Sequence, residues 1–332
     1  ILRMPNMRTG KELILSSRKY TTENRTRSWV ETIITLLGII LFLSITFIDS
    51  VPMVLRLASS FIASLFYVRI FVVYHDFQHH AILKNSLVAK IIMKAIGIYI
   101  LAPQNVWKRS HDHHHNHNSK LSANGIGSYP TIAKNCYLKL SKNEQRVYLL
   151  NRHPLTVLFG HITLFIYWLN VKSFIQSPKK HLDSLLALCI HFISAICIWY
   201  FIGFATFIIS WFLPFFIAFA IGSYLFYSQH NFPGAHFSEN PDWKYDHAAL
   251  KSTSFMTMHP ILQWLTGNIG YHHVHHLNSR IPFYRLAEAM EGIPELQYAT
   301  TTTWNPIEMR KCFQLKLWDT ENKVMIPLSK LK

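Results

Sequence analysis

The sequence is short of acidic residues and of cysteine. Only 17 Asp and Glu stand against 33 Lys and Arg, which gives a formal net charge of +16 over 332 residues. No Glu-x-x-His pairing occurs, so the carboxylate-rich metal centres of helix bundles are excluded. The four cysteines form no Cys-x-x-Cys motif, nothing demands a disulfide, and a reducing compartment fits. They are Cys136, Cys189, Cys197 and Cys312.

The positive charge is not gathered into a basic domain. Lys and Arg flank apolar runs, so nucleic acid is not an expected partner. Basic loops suit a membrane surface with anionic lipids or an acidic soluble partner. The positive-inside rule of membrane proteins explains the same residues without any partner, and both interpretations stay open.

Half of the residues are hydrophobic, and they gather in long runs. A helix needs about 20 apolar residues to cross a bilayer. Four runs of that length predict an all-α integral membrane protein with four transmembrane helices in two hairpins. Arg56 and Arg69 lie near opposite ends of the second run, where their side chains are expected to reach the headgroups. The predicted spans are residues 29–48, 52–74, 184–203 and 206–227.

The charged residues on either side of the first apolar run predict which side of the membrane the N-terminal residues occupy. Residues 1–28 hold seven Lys and Arg, whereas the turn after the first run holds none. The positive-inside rule therefore predicts that residues 1–28 form a basic cytoplasmic N-terminal tail. Two hairpins return the chain to that side, so the C-terminus is expected there too. Residues 29–332 are expected to form a single membrane domain.

Two shorter apolar stretches are predicted not to cross the membrane. In residues 87–101 the apolar positions share one helical face, with Lys90 and Lys94 on the other, which is typical of an interfacial helix. Residues 154–169 are apolar but short, and are predicted to be interfacial or half-buried. A full crossing by residues 87–101 would place two histidine clusters on opposite sides of the membrane.

Three short segments hold twelve of the 20 histidines. Their sequences are HDFQHH from His75, HDHHHNH from His111 and YHHVHHL from Tyr271. Residues at i, i+3 and i+4 share one face of a helix, and neutral imidazole is the commonest protein metal ligand. The pattern therefore predicts a metal centre. The histidines at ligand spacing are His75, His79, His111, His114, His115, His272, His275 and His276.

Eight imidazoles are more than one metal ion takes, so two metal ions are expected. His230 is a ninth candidate because it follows the fourth apolar run and emerges on the same side as the clusters. With two hairpins, all three clusters fall on the cytoplasmic side. The predicted architecture is therefore a membrane bundle with a cytoplasmic helical cap that holds the three clusters.

The clusters resemble the histidine boxes of the integral-membrane fatty acid desaturases. The segments on either side of the third cluster, GNIGY before it and LNSRIP after it, also resemble that family. The resemblance covers nearly all of residues 29–290. The spacing of His75 and His79 is more similar to the acyl-lipid desaturases than to the stearoyl-CoA type, although His80 sits at the longer spacing. The resemblance implies two iron ions that activate O₂, held by the eight histidines, with His230 matching an additional family histidine.

The resemblance also implies a substrate and an electron donor. The substrate would be a fatty acyl lipid or an acyl thioester, with O₂ as co-substrate. The sequence has no Cys₄ pattern, no dinucleotide fingerprint and no HPGG motif of a fused cytochrome b5 domain, since His153-Pro154 continues as Leu-Thr. A separate ferredoxin or cytochrome b5 is therefore implied.

Three polar residues beside the clusters are candidates for supporting roles. Asp76 and Asp112 each follow the first histidine of a cluster, where a carboxylate commonly orients its neighbour; simple solvation is the alternative. Asn268 lies one turn before His272 and would hold a metal-bound water, unless it is only a turn residue. The other histidines are interpreted as supporting, packing or solvated residues. They are His80, His113, His117, His153, His161, His181, His191, His236, His247, His259 and His273.

Three functions remain open at this point. The first is an O₂-dependent desaturase that inserts a cis double bond into an acyl chain. The second is a hydroxylase or carotenoid ketolase on a similar scaffold, because oxygen rebound in place of a second hydrogen abstraction gives an alcohol. The third is a membrane metal transporter, which would place its ligands within the spans. Double-bond position and acyl carrier are not encoded in any motif.

Overall fold

Four long apolar helices dominate the computed structural model, which describes residues 7–123 and 125–331. Each matches one predicted run, with ends shifted by at most four residues. The all-α membrane architecture is thereby confirmed, apart from four short strands. Spans 1 to 4 are Arg25–Thr46, Met53–Gln78, Leu182–Phe201 and Phe204–Ser228.

Local chemistry explains where the spans begin and end. Span 1 begins before its apolar run because the Asn24 side chain accepts a hydrogen bond from the Arg27 backbone N–H at 2.9 Å and caps the helix. Span 2 continues to Gln78, so His75 lies on the last turn of the helix. Gly203 separates spans 3 and 4 with φ of +126°, a conformation that favours glycine. Gly203 therefore forms the hinge between these two spans.

Span 2 is the centre of the bundle. It packs between spans 1 and 4, and 72% of its most apolar window is buried, against 22% for spans 1 and 3. The outward faces of spans 1 and 3 expose large apolar side chains such as Ile40 and Ile196. A hydrocarbon environment covers such faces without cost, which is consistent with a membrane bundle.

Both arginines of span 2 are buried, but only Arg69 lies inside the bundle instead of reaching the headgroups, since Arg56 pairs at 3.0 Å with the exposed Asp49 of the preceding turn. Arg69 is 1% exposed, pairs with Glu31 of span 1, donates to the Trp264 carbonyl and lies 3.8 Å over the Trp264 ring. Arg56 donates to the Thr46 carbonyl at 3.0 Å. A charge in an apolar bundle is stable only when paired, and here the partners lie within the protein.

The two shorter apolar stretches form helices against the bundle. Leu87–Tyr99 exposes Leu87 and Ile91 on one side and buries Ala89 and Met93 on the other. It meets the next helix, Gln104–Asn116, at 88°. Residues 154–169 are half-buried, as predicted, in Pro154–Leu158 and the π-helical His161–Lys172.

The chain after span 4 covers one end of the bundle. Phe255–Met256 pairs in parallel with Thr301–Thr302, and Leu315–Asp319 pairs antiparallel with Val324–Pro327.

Short helices elsewhere in the described chain complete the fold. The remaining α-helices are Gly10–Ser16, Lys134–Lys139, Lys142–Asn151, Ser173–Gln176, Tyr245–Lys251, Pro260–Leu265, His272–Leu277, Leu286–Gly292 and Pro306–Gln314. The 3₁₀ turns are Arg18–Tyr20, Pro178–Lys180, Phe283–Arg285, Pro294–Tyr298 and Leu328–Lys330.

The basic N-terminal segment is attached to this end of the molecule. The Arg8 guanidinium pairs with Glu295 at 2.8 Å, and the Gly10 backbone N–H donates to the Asp246 carboxylate at 2.8 Å. The pairing and hydrogen bonds with Arg8 lower the Glu295 pKa to about 2. These contacts connect the segment before span 1 with the part of the chain that surrounds the third histidine cluster.

Replacing Arg69 tests its role in the bundle. Arg69→Met leaves Glu31 only its longer pairing with Arg27 at 3.5 Å, and we expect a loss of about 3 kcal/mol in stability. Combining it with Glu31→Gln should recover part of the loss, because no unpaired charge remains. Glu288→Gln is the matched control, since Glu288 pairs with Arg285 at the surface, is 55% exposed and should matter little. Equilibrium unfolding in detergent measures all four proteins, and an Arg69→Met protein as stable as wild type would contradict the account.

Candidate metal centre

The three histidine clusters and His230 converge at the end of the bundle that the C-terminal segment covers. His75 and His79 come from the end of span 2, and three histidines come from Gln104–Asn116. Three more come from the short helix His272–Leu277, while His230 follows span 4 by two residues. Four segments far apart in sequence thus meet at one place, as the spacing predicted.

The nine imidazoles form two groups, and within each group the potential ligand atoms all lie within 4.8 Å of one another. Group A contains five histidines and group B contains four. Every predicted ligand histidine falls in one group or the other. Group A is His75, His79, His111, His115 and His275; group B is His114, His230, His272 and His276.

The nitrogen spacings fit one metal ion in each group. In group A the Nε2 atoms of His115 and His111, and of His115 and His275, are 3.0 Å apart. In group B the Nε2 atoms of His230 and His272 are 2.9 Å apart. A metal–nitrogen bond of about 2.1 Å with ligands at right angles gives a nitrogen–nitrogen distance of about 3.0 Å. A shared cation satisfies all these lone pairs at once.

Neutral, buried rings suit metal binding. Burial, reinforced by neighbouring imidazoles, lowers the pKa of seven group members well below the usual value. Burial also lowers the pKa of His230 to about 3. Rings without a proton on the ligand nitrogen are the form that binds metal. The seven are His79, His111, His114, His115, His272, His275 and His276.

The two groups lie side by side, so the site is a candidate dinuclear centre. The His115 ring of group A stacks on the His276 ring of group B, with centroids 4.3 Å apart and planes at 18°. The buried Nε2 of His79 has no hydrogen-bond partner in the described part of the chain. An ion in group A would give that nitrogen the partner it needs.

Asp76 lies beside the centre and makes two contacts. Its Oδ1 lies 3.1 Å from Nδ1 of His75, and its Oδ2 accepts the Phe283 backbone N–H at 2.6 Å. A carboxylate placed this way fixes the orientation of the His75 ring. Trp107 also contacts the centre, since its ring stacks on His111 with centroids 4.4 Å apart. No spacing rule singled out Trp107 or the link to Phe283.

The other two supporting candidates are engaged elsewhere. Asp112 pairs with Lys108 at 2.9 Å on the exposed side of its helix. The Asn268 side-chain amide donates to the Phe283 carbonyl at 3.1 Å, and its backbone has a positive φ of 57° in a turn. Neither contact involves a histidine of the two groups.

The remaining histidines lie outside both groups. His113 and His117 stack on each other, His161 lies 2.9 Å from His191, and His273 contacts the Leu296 carbonyl. His153 and His259 cap helices, as their side chains accept the backbone N–H two residues on. The roles of the nine grouped histidines as ligands stay a prediction, and none of these other histidines belongs to either group.

Comparison with known proteins identifies the family. A family model described as fatty acid desaturase matches residues 50–307, which contain all nine histidines of the two groups. The chain belongs to the fatty acid desaturase family. It is therefore an oxidoreductase of lipid metabolism with a candidate metal centre.

Several relatives of this desaturase are known from bacteria and plants. A fatty acid desaturase of Bacillus subtilis (strain 168) is 33% identical over 284 residues, which are 85% of this chain and 80% of that protein. An sn-1 oleoyl-lipid 12-desaturase of Anabaena variabilis is 24% identical over 239 residues, 68% of this chain and 65% of that protein. A chloroplastic omega-6 fatty acid desaturase of Spinacia oleracea is 25% identical over 237 residues, 68% of this chain but only 50% of that protein.

Removing one nitrogen from each group tests the two-ion arrangement of the desaturase. His79→Ala removes a group A donor and His276→Ala a group B donor, and we expect each to lower bound metal by about one ion per chain. His113→Ala is the matched control, because this ring shares the helix of three donors but lies outside both groups. Elemental mass spectrometry of detergent-purified protein gives the number of metal ions bound per chain. Full metal in both donor variants, or equal loss in His113→Ala, would contradict the assignment.

Proposed function

We propose that this desaturase inserts a cis double bond into the acyl chain of a membrane lipid, with one iron ion in each histidine group. The balanced reaction takes one O₂, two electrons and two protons. Two hydrogens leave neighbouring methylenes of the chain, an alkene forms, and two waters are released. Bound iron would supply the activation of O₂ that attack on an unactivated methylene requires.

The observation that supports this proposal is a large apolar cavity that ends on both histidine groups. Its volume is about 560 Å³, within the range of ligand sites. His75 and His111 of group A and His272 of group B line it. Side chains such as Phe165 and Phe219 form its walls. An apolar chain in this cavity lies against both groups and is shielded from water.

The cavity also has a polar side, which fits a lipid with a headgroup. Lys172, Ser173 and Gln176 line it together with the apolar walls. The Lys172 ammonium lies 3.7 Å from the centre of the Trp168 ring, an arrangement typical of residues at a membrane interface. The Anabaena relative is named for an oleoyl lipid, which favours a glycerolipid carrier over a thioester.

Tyr67 lines the cavity and is hydrogen-bonded to Tyr99, which is not among the lining residues. The hydroxyls of Tyr67 and Tyr99 are 2.5 Å apart, and the Tyr67 ring stacks on Phe215 with centroids 4.9 Å apart. Tyr67 and His75 are eight residues apart in one helix, or about 12 Å along its axis. The pair is placed to limit how far an acyl chain extends past the metal centre.

Iron is the metal that best fits the donor set and the family. Imidazole suits iron, and the two groups contain no carboxylate to reduce the positive charge of a bound ion. We infer that the electrons come from a donor such as ferredoxin or cytochrome b5. The excess of basic residues suits docking of an acidic donor, on a cytoplasmic face that also holds both termini.

Expression in a host of known lipid composition tests the proposed reaction. We expect new unsaturated fatty acids in gas chromatography of the host lipids. His275→Ala should abolish them, because this nitrogen lies 3.0 Å from that of His115 within group A. New hydroxy acids without new double bonds would overturn the desaturase assignment in favour of a hydroxylase. Bound metal with no acyl product under any electron donor would favour a transporter.

Filling the cavity tests its role separately from the metal centre. Gly222 lines the cavity, and a Cβ atom added there would meet no atom within 4 Å. Gly222→Leu should therefore fold, keep its metal and lose most activity, because the side chain occupies the acyl path. Gly222→Ala is the control and should stay active, with stability unchanged or raised by up to about 1 kcal/mol. Full activity of Gly222→Leu with normal metal content would contradict the assignment of this cavity.

A further inference from the structure

A second, much smaller cavity lies beside group B. Its volume is about 30 Å³, and His114 and His230 of group B form part of its wall. A water molecule needs roughly 10–15 Å³ measured in this way, so the cavity has room for a ligand about two to three water molecules in size. None of the described residues that line it is Asp or Glu, whereas Arg152 is among them.

Arg152 is a buried cation without an anionic partner among the described residues. Its side chain is fully buried, and a guanidinium stays charged in proteins. It donates to the Pro130 carbonyl at 2.6 Å, the Thr131 hydroxyl at 2.9 Å, the Asn231 side-chain oxygen and the Leu315 carbonyl. All four acceptors are neutral. A buried charge that meets only dipoles is costly, and the cost falls if an anion binds nearby.

A second cation adds to the positive charge of this region. The Lys316 ammonium donates to the Arg152 backbone carbonyl at 2.5 Å. Burial, followed by the charge of Arg152, lowers the Lys316 pKa to about 8. No carboxylate among the described residues opposes these two effects, although a nearby carboxylate would raise the pKa of an ammonium. Metal ions in group B would make the region more positive still.

Hydrogen-bond donors without acceptors complete the site. The Arg152 Nε and the hydroxyl oxygens of Tyr129 and Tyr227 are buried and make no hydrogen bond of normal geometry in the described part of the chain, although Ser223 lies beside the Tyr129 hydroxyl and Arg152 beside the Tyr227 hydroxyl. All three residues line the small cavity. Burial raises the pKa of the Tyr129 phenol, so it keeps its proton and can donate. An unpaired buried donor is rare in native proteins and needs an explanation.

We propose that this cavity is a binding site for one small monovalent anion of the halide class, held by the Arg152 Nε–H and the Tyr129 and Tyr227 hydroxyls. Chloride matches the size of the cavity and the donors-only character of these three groups. The bound anion offsets the charge of Arg152 beside group B. Because Asn231 follows His230 directly and accepts from Arg152, the anion also stabilises the segment that presents His230. The proposal does not depend on the reaction that the protein catalyses.

Halide titration of the purified, metal-loaded protein tests the site. Thermal unfolding is followed as bromide or chloride replaces gluconate, an anion too large for the cavity, at constant ionic strength. We expect a saturable rise in the unfolding temperature. Tyr129→Phe removes one donor to the anion and should weaken halide affinity by about tenfold or more. Tyr167→Phe is the control, because Tyr167 is 52% exposed and absent from the cavity.

Crystals grown with bromide give the position directly. We expect one anomalous bromide peak within hydrogen-bonding distance of the Arg152 Nε in the wild type, weakened or absent in Tyr129→Phe. Metal content must equal that of the wild type, so that a halide bound to the metals is distinguished. A cavity that contains only water at saturating bromide would overturn the proposal. So would a halide-dependent stabilisation that Tyr129→Phe leaves unchanged.

Discussion

Nine imidazole rings buried around two points are the constraint on which the rest of this structure depends. Ligand nitrogens about 3 Å apart repel unless a proton or a cation lies between them, and buried polar atoms without partners are destabilising. Two metal ions would satisfy the whole set. The spans, the covering C-terminal segment and the buried ion pair of Arg69 then serve to hold four segments of chain at this one place.

The same arrangement explains the position of the large cavity. His75 lies in the last turn of span 2 and His230 lies just after span 4, and residues of both spans line the cavity. In the proposed function, an acyl chain from the lipid phase enters this cavity to reach the histidines. Span 2 is buried because it borders both the cavity and the other spans, while spans 1 and 3 face outward.

The sequence was enough to predict the four spans and the family, because both depend on local patterns. The histidines at ligand spacing are the ones that the fold gathers into two groups, and their role as ligands stays a prediction. The sequence could not predict which histidines belong to group A and which to group B. His114 and His115 are adjacent but belong to different groups, since consecutive residues on a helix point about 100° apart. Arg69 was misassigned because its partner Glu31 lies in another helix, 38 residues away. Arg152 belongs to no motif, and only the folded chain brings its neutral acceptors together.

The most direct test of the account is anomalous diffraction at the iron absorption edge from crystals of the iron-loaded protein. The account predicts two peaks, one among the five nitrogens of group A and one among the four of group B. A single peak shared by both groups, or iron located away from these histidines, would contradict it.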